Sequence, residues 1–234
     1  MIKAIIFDFG QTLVDSADGF RTAEKEMQNR IFTDIGLSSR DEFLAHYRQI
    51  RKEFHNGSQF SRNAIWQAVY LQFQRQPDPA RLELWETEYW DLVKTKTMPF
   101  SETVRVLETL YANHRLALVS NTQGQKASRR HRISLFPELE KFFEIVIVAG
   151  EDQVPPKPDP APFLLCLERL GVQPSEAVFV GDDYRIDICG ATDVGIRPIW
   201  LQHHSVRRNW PEVETSIPVI KTLNDLLDLD RMLP

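Results

Sequence analysis

Three short apolar runs, each followed at once by polar residues, constrain the fold of this 234-residue chain more than any other feature. An uninterrupted apolar run suits a strand that is covered on both faces, as in a parallel sheet. Polar residues that follow such strands lie at the carboxyl edge of an open α/β sheet, where these folds build their active sites. The runs are residues 4–7 before Asp8, residues 116–119 before Ser120, and residues 177–180 before Gly181 and Asp182.

The second half of the chain alternates between strand-like and helix-like segments. Asp159 is a suitable N-cap for a helix that begins at Pro160, and Gly171 would end that helix. The alternation predicts an α/β fold with a doubly wound, Rossmann-like parallel sheet. Strands are predicted at residues 116–119, 143–148, 178–180 and 198–201, and helices at residues 102–111, 160–170 and 186–194.

Residues 16–98 follow a different, helical pattern. Apolar and aromatic residues recur at three- and four-residue steps, which predicts several amphipathic helices packed together and no strand. Aromatic side chains at this spacing favour a hydrophobic core over a surface that stacks nucleic-acid bases. We therefore predict an α/β core of residues 1–15 and 99–234, with an all-α domain of residues 16–98 inserted into it.

Composition and charge exclude several classes of protein. Hydrophobic residues make up 42% of the chain and charged residues 26%, as in ordinary soluble globular proteins. The net charge of -5 gives no general attraction to nucleic acid or to an anionic membrane. No leader or membrane span is recognisable, so a reducing cytoplasm is expected, with Cys166 and Cys189 packed in helices. The basic run at residues 129–132 is predicted to be a solvated helix end that points away from the strand ends.

Acidic residues follow the first and third apolar runs. A buried carboxylate costs several kcal/mol unless a cation or hydrogen-bond donors meet it, so Asp8 needs a partner. Asp8 is interpreted either as a nucleophile or as a turn-capping residue. Asp182, Asp183 and Asp187 lie within six residues, which favours a divalent cation such as Mg²⁺, although one of them could instead cap the following helix.

Four motifs, in this order, resemble those of the haloacid dehalogenase-like superfamily of hydrolases, and the resemblance covers nearly the whole chain. It implies that the inserted helices form a cap of the family's first type, which closes over the site, excludes water and supplies specificity. The motifs are Asp8-Phe9-Gly10-Gln11-Thr12, Ser120-Asn121-Thr122, Lys157 at the start of Lys-Pro-Asp-Pro, and Gly181-Asp182-Asp183 followed by Asp187.

The resemblance also assigns roles to these residues. Asp8 is expected to attack phosphorus and form an aspartyl-phosphate, with Lys157 as the charge clamp for the nucleophile and the phosphoryl oxygens. Ser120 and the amide of Asn121 are expected to donate to a phosphoryl oxygen. The implied Mg²⁺ ligands are Asp8, Asp182, Asp187 and the backbone carbonyl of Gly10, with Asp183 as an alternative to Asp187.

Gly10 departs from the pattern that family phosphatases usually show. They carry a second aspartate there, which protonates the leaving oxygen and then activates water, and such help is worth about a hundred- to ten-thousand-fold. Three interpretations stay open. The protein is a slow phosphatase, it uses another group such as Gln11 to orient water, or it does not hydrolyse phosphate esters.

The sequence therefore predicts a Mg²⁺-dependent phosphatase of a small phosphorylated metabolite, acting as a monomer or weak homodimer without nucleic-acid or membrane partners. His55 and Arg62 are candidates to face the substrate. The alternatives are a haloacid dehalogenase or phosphonatase-type hydrolase with the same nucleophile, and a non-catalytic phosphate-binding protein. The dehalogenase branch of the family has no metal, so the acidic residues at 182–187 argue against it.

Overall fold

The computed structural model describes residues 1–122, 132–150 and 153–232. These residues divide into two units. One comprises Met1–Ala17, Met98–Asn121 and the described residues from Arg132 onward, and the other comprises Asp18–Thr97 together with Thr122. The sequence analysis placed the divisions after residues 15 and 98. That the first unit is a catalytic core and the second a cap stays a prediction.

The first unit is built on a parallel sheet. Its strands are β1 (Ala4–Phe7), β2 (Val14–Asp15), β3 (Met98–Pro99), β4 (Arg115–Asn121), β5 (Ile145–Ala149), β6 (Ala177–Gly181), β7 (Arg197–Leu201) and β8 (Val219–Ile220). Six of them pair in the order β5-β4-β1-β6-β7-β8, and every pair is parallel. The short strands β2 and β3 form a separate antiparallel pair on the segments that lead into and out of the helical unit. The predicted α/β fold with a parallel sheet is confirmed.

The central strand β1 explains why the first apolar run is uninterrupted. Its side chains alternate between two hydrophobic clusters, with Ile5 and Phe7 in one and Ala4 and Ile6 in the other. All four side chains are fully buried. A strand that is covered on both faces has no position for a polar side chain, so the first polar residue, Asp8, comes where the strand ends.

Helices complete the first unit, and one of them differs from its prediction. They are α5 (Thr103–Tyr111), α6 (Pro137–Glu140), α7 (Pro160–Leu170), α8 (Gly190–Asp193) and α9 (Leu229–Met232). Helix α7 has the predicted bounds, because Asp159 accepts a hydrogen bond from the Ala161 amide at 2.9 Å and Gly171 ends the helix in the left-handed region. The helix predicted at 186–194 is present, but it starts earlier and is not a single α-helix. A π-helix over Tyr184–Cys189 precedes the short helix α8.

The second unit consists of helices with an aromatic core. They are α1 (Ala17–Ile35), α2 (Arg40–Asn56), α3 (Arg62–Gln72) and α4 (Pro79–Thr95). Trp66 is fully buried and donates its indole N–H to the Tyr47 hydroxyl at 3.2 Å. The aromatic residues at helical spacing therefore form a core, as predicted.

His55 and Arg62, the two residues predicted to face the substrate, are not fully exposed side chains. Arg62 is buried and donates to the Tyr89 hydroxyl at 2.9 Å, so its guanidinium is part of the internal packing. His55 is half-buried. Burial, together with the charges of Arg62 and Arg51, lowers the pKa of His55 to about 3.

Two further findings concern the whole of the described chain. Neither cysteine forms a disulfide, with Cys166 buried and Cys189 half-buried. No helix among the described residues has the length and apolar character needed to cross a membrane.

A buried carboxylate, Glu102, ties the start of α5 to the segments that follow β7 and β8. Its Oε1 atom lies 2.9 Å from Nε2 of His203 and accepts from the Thr222 hydroxyl at 2.7 Å. His203 also stacks on Phe100, with ring centroids 3.7 Å apart. Burial opposes ionisation of Glu102, but the hydrogen bonds from His203 and Thr222 outweigh it and lower the pKa of Glu102 to about 2.

We expect Glu102→Gln to reduce the free energy of unfolding at neutral pH by about 1–3 kcal/mol, because a buried charge-assisted hydrogen bond is lost. A carboxyl group whose pKa is lowered on folding stabilises the folded state above its unfolded pKa, here 4.5. The advantage of the wild type should therefore shrink as the pH falls from 4.5 towards 2. Urea unfolding at a series of pH values measures this, and a difference that does not change with pH would contradict it.

Candidate active site

Asp8 lies directly after the central strand. Its backbone N–H donates to the Val180 carbonyl at 2.9 Å, which continues the pairing of β1 with β6 by one residue. Its carboxylate is buried and accepts a hydrogen bond from Nζ of Lys157 at 2.8 Å. The partner that the sequence analysis required for this buried charge is therefore Lys157.

The ammonium group of Lys157 lies where three strand ends meet. The side chain is only 1% exposed, and Nζ donates to Oδ1 of Asp8 at 2.8 Å, to Oδ1 of Asp187 at 2.7 Å and to the Val119 carbonyl at 2.7 Å. Burial alone would lower the pKa of Lys157, but the two carboxylates outweigh it and raise the pKa above its ordinary value. The lysine is therefore a fixed positive charge.

Asn121 positions this lysine through its side chain. Its Oδ1 atom accepts from the Lys157 backbone N–H at 2.7 Å, and its Nδ2 donates to the Lys157 carbonyl at 3.0 Å. The sequence analysis assigned only the backbone amide of Asn121 a role, and missed this one. Ser120 precedes it, buried at the end of β4. Its role as a phosphoryl donor stays a prediction.

Three acidic side chains converge at this edge of the sheet. Asp8, Asp182 and Asp187 are all buried, and each has a carboxylate oxygen within 4.8 Å of the others. Burial and the neighbouring carboxylates raise the pKa of Asp182 well above its ordinary value, although Arg208 opposes this. Burial and Asp8 likewise raise the pKa of Asp187 to about 7, against the effect of Lys157. Hard, closely spaced oxygen atoms of this kind are suitable ligands for a small divalent cation.

Asp183 differs from its acidic neighbours. Its side chain accepts from the backbone N–H groups of Arg185 and Ile186, both at 3.0 Å, and so caps the π-helix. Its own N–H donates to Oδ2 of Asp187 at 3.0 Å. The capping interpretation thus applies to Asp183, while Asp182 and Asp187 belong to the cluster of three carboxylates.

Arg208 is a charged residue at this site that the sequence analysis missed. It follows β7 and donates to the carboxylate of Asp182, while its Nη2 atom lies 3.8 Å from Asp183. Its guanidinium also lies over the Trp210 ring, 4.6 Å from the centroid. Residues 202–218 carry no helical or strand-like hydrophobic pattern. The signal that could have identified Arg208 as a site residue is its place after β7.

Arg132 contradicts the prediction made for the basic run. Residues 129–131 lie outside the described residues, but Arg132 is only 4% exposed, and the prediction of a solvated side chain was wrong for it. Its guanidinium carbon lies 5.3 Å from the centroid of the Phe9 ring, and its Nη1 atom donates to the Ser16 hydroxyl at 3.4 Å. The side chain thus packs against the turn that follows Asp8 instead of pointing away from it.

The turn after Asp8 is closed by backbone hydrogen bonds. Leu13 donates to the Phe9 carbonyl at 2.9 Å, and Gln11 donates to the Val14 carbonyl at 2.8 Å. Gln11 has a left-handed φ of 62°. Its side-chain nitrogen donates to Oδ1 of Asp15 at 3.3 Å, and its side-chain oxygen accepts from the Ala17 N–H at 3.0 Å. This arrangement gives no support to a water-orienting role for Gln11.

Gly181 leaves the space that Asp187 needs. A Cβ atom added at Gly181 would lie 2.5 Å from Cβ of Asp187, a distance that real side chains do not reach.

We expect Gly181→Ala to displace Asp187 from Lys157 and to lower the free energy of unfolding by about 1–3 kcal/mol. Gly57→Ala is the control, because an added Cβ there would be 3.6 Å from its nearest neighbour. Equal unfolding midpoints for the two variants in urea would contradict this expectation.

The chain is similar to known phosphatases and to a known dehalogenase. The N-acylneuraminate-9-phosphatase of Rattus norvegicus is 27% identical over 208 residues, covering 86% of this chain and 82% of the relative. The glyceraldehyde 3-phosphate phosphatase of Methanopyrus kandleri is 27% identical over 240 residues, covering 100% and 99%. Among solved structures, a 2-haloacid dehalogenase from Pseudomonas syringae superposes with a TM-score of 0.67 and 26% identity, covering 99% of both chains.

The family of haloacid dehalogenase-like hydrolases matches residues 2–195, which include Asp8, Ser120, Lys157, Asp182 and Asp187. Because this match extends over most of the chain, the protein belongs to the haloacid dehalogenase-like hydrolase family.

Proposed function

We propose that this enzyme is a Mg²⁺-dependent phosphatase that hydrolyses a small phosphorylated metabolite through an aspartyl-phosphate on Asp8. One observation carries the proposal. The Asp8 carboxylate lies at the carboxyl end of the central strand, 2.8 Å from a buried ammonium and beside two further buried carboxylates. A carboxylate that attacks phosphorus needs a fixed orientation and a nearby positive charge that offsets its own negative charge.

The charges of the described residues favour a divalent cation. Three carboxylates, those of Asp8, Asp182 and Asp187, face the positive charges of Lys157 and Arg208. With all three carboxylates ionised, the negative charge left over would repel a phosphoryl group, and a divalent cation would offset this repulsion and favour the ionised carboxylates. Asp8, Asp182, Asp187 and the Gly10 carbonyl are the proposed ligands. When bound, Mg²⁺ would neutralise charge on the transferring phosphoryl group.

The residues of the chain supply the other parts of the reaction. Oδ1 of Asp8 is held by Lys157, which leaves Oδ2 to attack phosphorus while the bond to the leaving oxygen breaks. Lys157 also stabilises the charge on the phosphoryl oxygens, and Ser120 with the Asn121 amide donates to one of them. Water then cleaves the acyl phosphate and restores Asp8. We propose that the helical unit acts as the cap that supplies specificity.

The names of the relatives support a phosphorylated substrate. The two curated relatives described above are phosphatases, one of an N-acylneuraminate 9-phosphate and one of glyceraldehyde 3-phosphate. Both names denote small phosphorylated carbohydrate compounds. At 27% identity, we take from them only the class, which is a small phosphorylated metabolite.

Dehalogenation of a 2-haloacid is the second candidate. It is favoured by the similarity to the dehalogenase structure and by the absence of an acidic side chain at position 10. Both reactions begin with attack by Asp8, but only phosphoryl transfer has a use for a divalent cation at Asp182 and Asp187. Dependence on metal therefore separates the two candidates.

Asp8→Asn should reduce the hydrolysis of p-nitrophenyl phosphate to the level of the uncatalysed reaction, because the amide is not nucleophilic. The fold should be retained, since the side chain keeps its volume and an oxygen that can accept from Lys157, and Asp187 still compensates the ammonium charge. Asp159→Asn is the matched control. It makes the same chemical change at the N-cap of α7, where asparagine caps as well as aspartate. Wild-type rates in Asp8→Asn would rule out the covalent mechanism.

Removal of divalent metal with EDTA should abolish the activity, and Mg²⁺ should restore it. Asp182→Asn should raise the Mg²⁺ concentration needed for half-maximal activity by at least roughly tenfold. Asp183→Asn should leave this concentration unchanged, because Asp183 caps the π-helix and asparagine can do the same.

Titration of the EDTA-treated enzyme with Mg²⁺, followed with p-nitrophenyl phosphate, measures these values. Phosphatase activity that resists EDTA, or release of chloride from 2-chloropropionate without metal, would contradict the proposal.

A further inference from the structure

The guanidinium group of Arg132 fills the space beside Gly10. A Cβ atom added at Gly10 would lie 3.1 Å from Nη2 of Arg132 and 3.9 Å from its Nη1 and Cζ atoms. All three of the nearest atoms belong to this one guanidinium. Gly10 does not have a left-handed backbone, so its φ angle does not require a glycine, and the group that a side chain at this position would meet is the guanidinium of Arg132.

The alternation of side chains in β1 gives the direction of position 10 relative to Asp8. Ile5, Phe7 and Phe9 belong to one hydrophobic cluster, and Ala4 and Ile6 belong to the other. Side chains alternate along an extended chain, so the side of Ala4 and Ile6 is also that of Asp8 and of position 10. Gly10 still forms a β-bridge, with Val14. Positions two apart on an extended chain are separated by about 7 Å, and Gly10 is the second residue after Asp8.

Arg132 is held in this place by contacts on more than one side. It packs over the Phe9 ring at 5.3 Å and donates to the Ser16 hydroxyl at 3.4 Å, and Ser16 is fully buried. A cation over an aromatic ring is stabilised when it is shielded from water. The guanidinium is therefore pre-organised, which is the condition for electrostatic stabilisation of a transition state.

We propose that Arg132 is the leaving-group residue of this enzyme, and that it stabilises the leaving oxygen as an anion instead of protonating it. This inference rests on the proposed phosphatase activity. In an in-line displacement, the leaving oxygen lies on the side of phosphorus opposite to Asp8. The bond from Asp8 to phosphorus forms, and the electron pair of the broken bond stays on the leaving oxygen beside Arg132. That oxygen later takes a proton from water.

The proposal defines a class of substrate. A guanidinium stays charged in proteins and does not act as a proton donor. It can therefore assist only those leaving groups that are reasonably stable as anions. The favoured substrates are acyl phosphates, enol phosphates and aryl phosphates, and phosphates of ordinary alcohols are disfavoured.

The test compares leaving groups in Arg132→Gln. With phenyl phosphate, whose leaving group is the poorer of the two aryl leaving groups, kcat should fall by roughly a hundredfold, the usual effect of removing one oxyanion donor. With dinitrophenyl phosphate, whose leaving group needs little help, the fall should be far smaller. Arg132→Lys should recover part of the loss on phenyl phosphate. A role confined to holding the turn would instead lower both rates by the same factor.

Arg197→Gln is the matched control. Arg197 makes one contact to a backbone carbonyl, that of Ser175 at 3.3 Å, in the exposed part of the first unit. The same change there should leave the ratio of the two rates unaltered. Wild-type enzyme that is inactive on every phosphate compound would disprove the phosphatase itself. Active wild type with an unchanged ratio in both Arg132 variants would overturn only the role of Arg132.

A second measurement does not depend on turnover. The carboxylate introduced by Gly10→Asp should pair with Arg132, whose flexible end can move to accommodate it. Gly10→Asp should therefore lower the melting temperature by several degrees more in the Arg132→Gln background than in the wild type. Additive effects of the two changes would show that the groups do not interact, and would overturn the placement of Arg132 beside position 10.

Discussion

The buried ammonium of Lys157 is the interaction on which the site depends. Its three acceptors come from three segments of the chain, since Asp8 follows β1, Val119 lies in β4 and Asp187 lies in the π-helix after β6. Breaking a buried ion pair by removal of one partner typically costs about 3–5 kcal/mol, because the other charge stays uncompensated. The lysine thus stabilises the fold and sets the charge beside Asp8, and the Asn121 side chain fixes the lysine backbone.

The topology of the sheet explains why these groups meet. The chain continues from β1 to β4 and β5 on one side, and then to β6, β7 and β8 on the other. β1 therefore lies at the point where the strand order reverses, and open α/β sheets have a crevice there. Because β4 and β6 both pair with β1 in register, the residues that follow all three strands lie at one edge.

The sequence predicted the acidic residues of the site from the strands that precede them and Lys157 from its resemblance to a family motif, and it missed two arginines that neither signal marks. Asp8, Asp182 and Asp187 could be placed because uninterrupted apolar runs mark buried strands, and the carboxyl ends of parallel strands converge. Arg208 and Arg132 belong to a loop and to the 3₁₀-helix Arg132–Leu135, where no periodicity links a residue to its neighbours in space. For Arg132, a run of basic residues suggested solvent, but the Phe9 ring and the Ser16 hydroxyl compensate its burial.

Gly10 and Arg132 are best understood as a single feature. A carboxylate at position 10 would meet the guanidinium, and an opposite charge at that distance holds the pKa of a carboxyl group down. Such an acid would stay ionised and would have no proton to give to a leaving oxygen. A proton donor at position 10 and a buried arginine beside it therefore exclude one another. On the proposed mechanism, a chain that keeps the arginine gains nothing from the acid, and the glycine accompanies a different way of stabilising the leaving group.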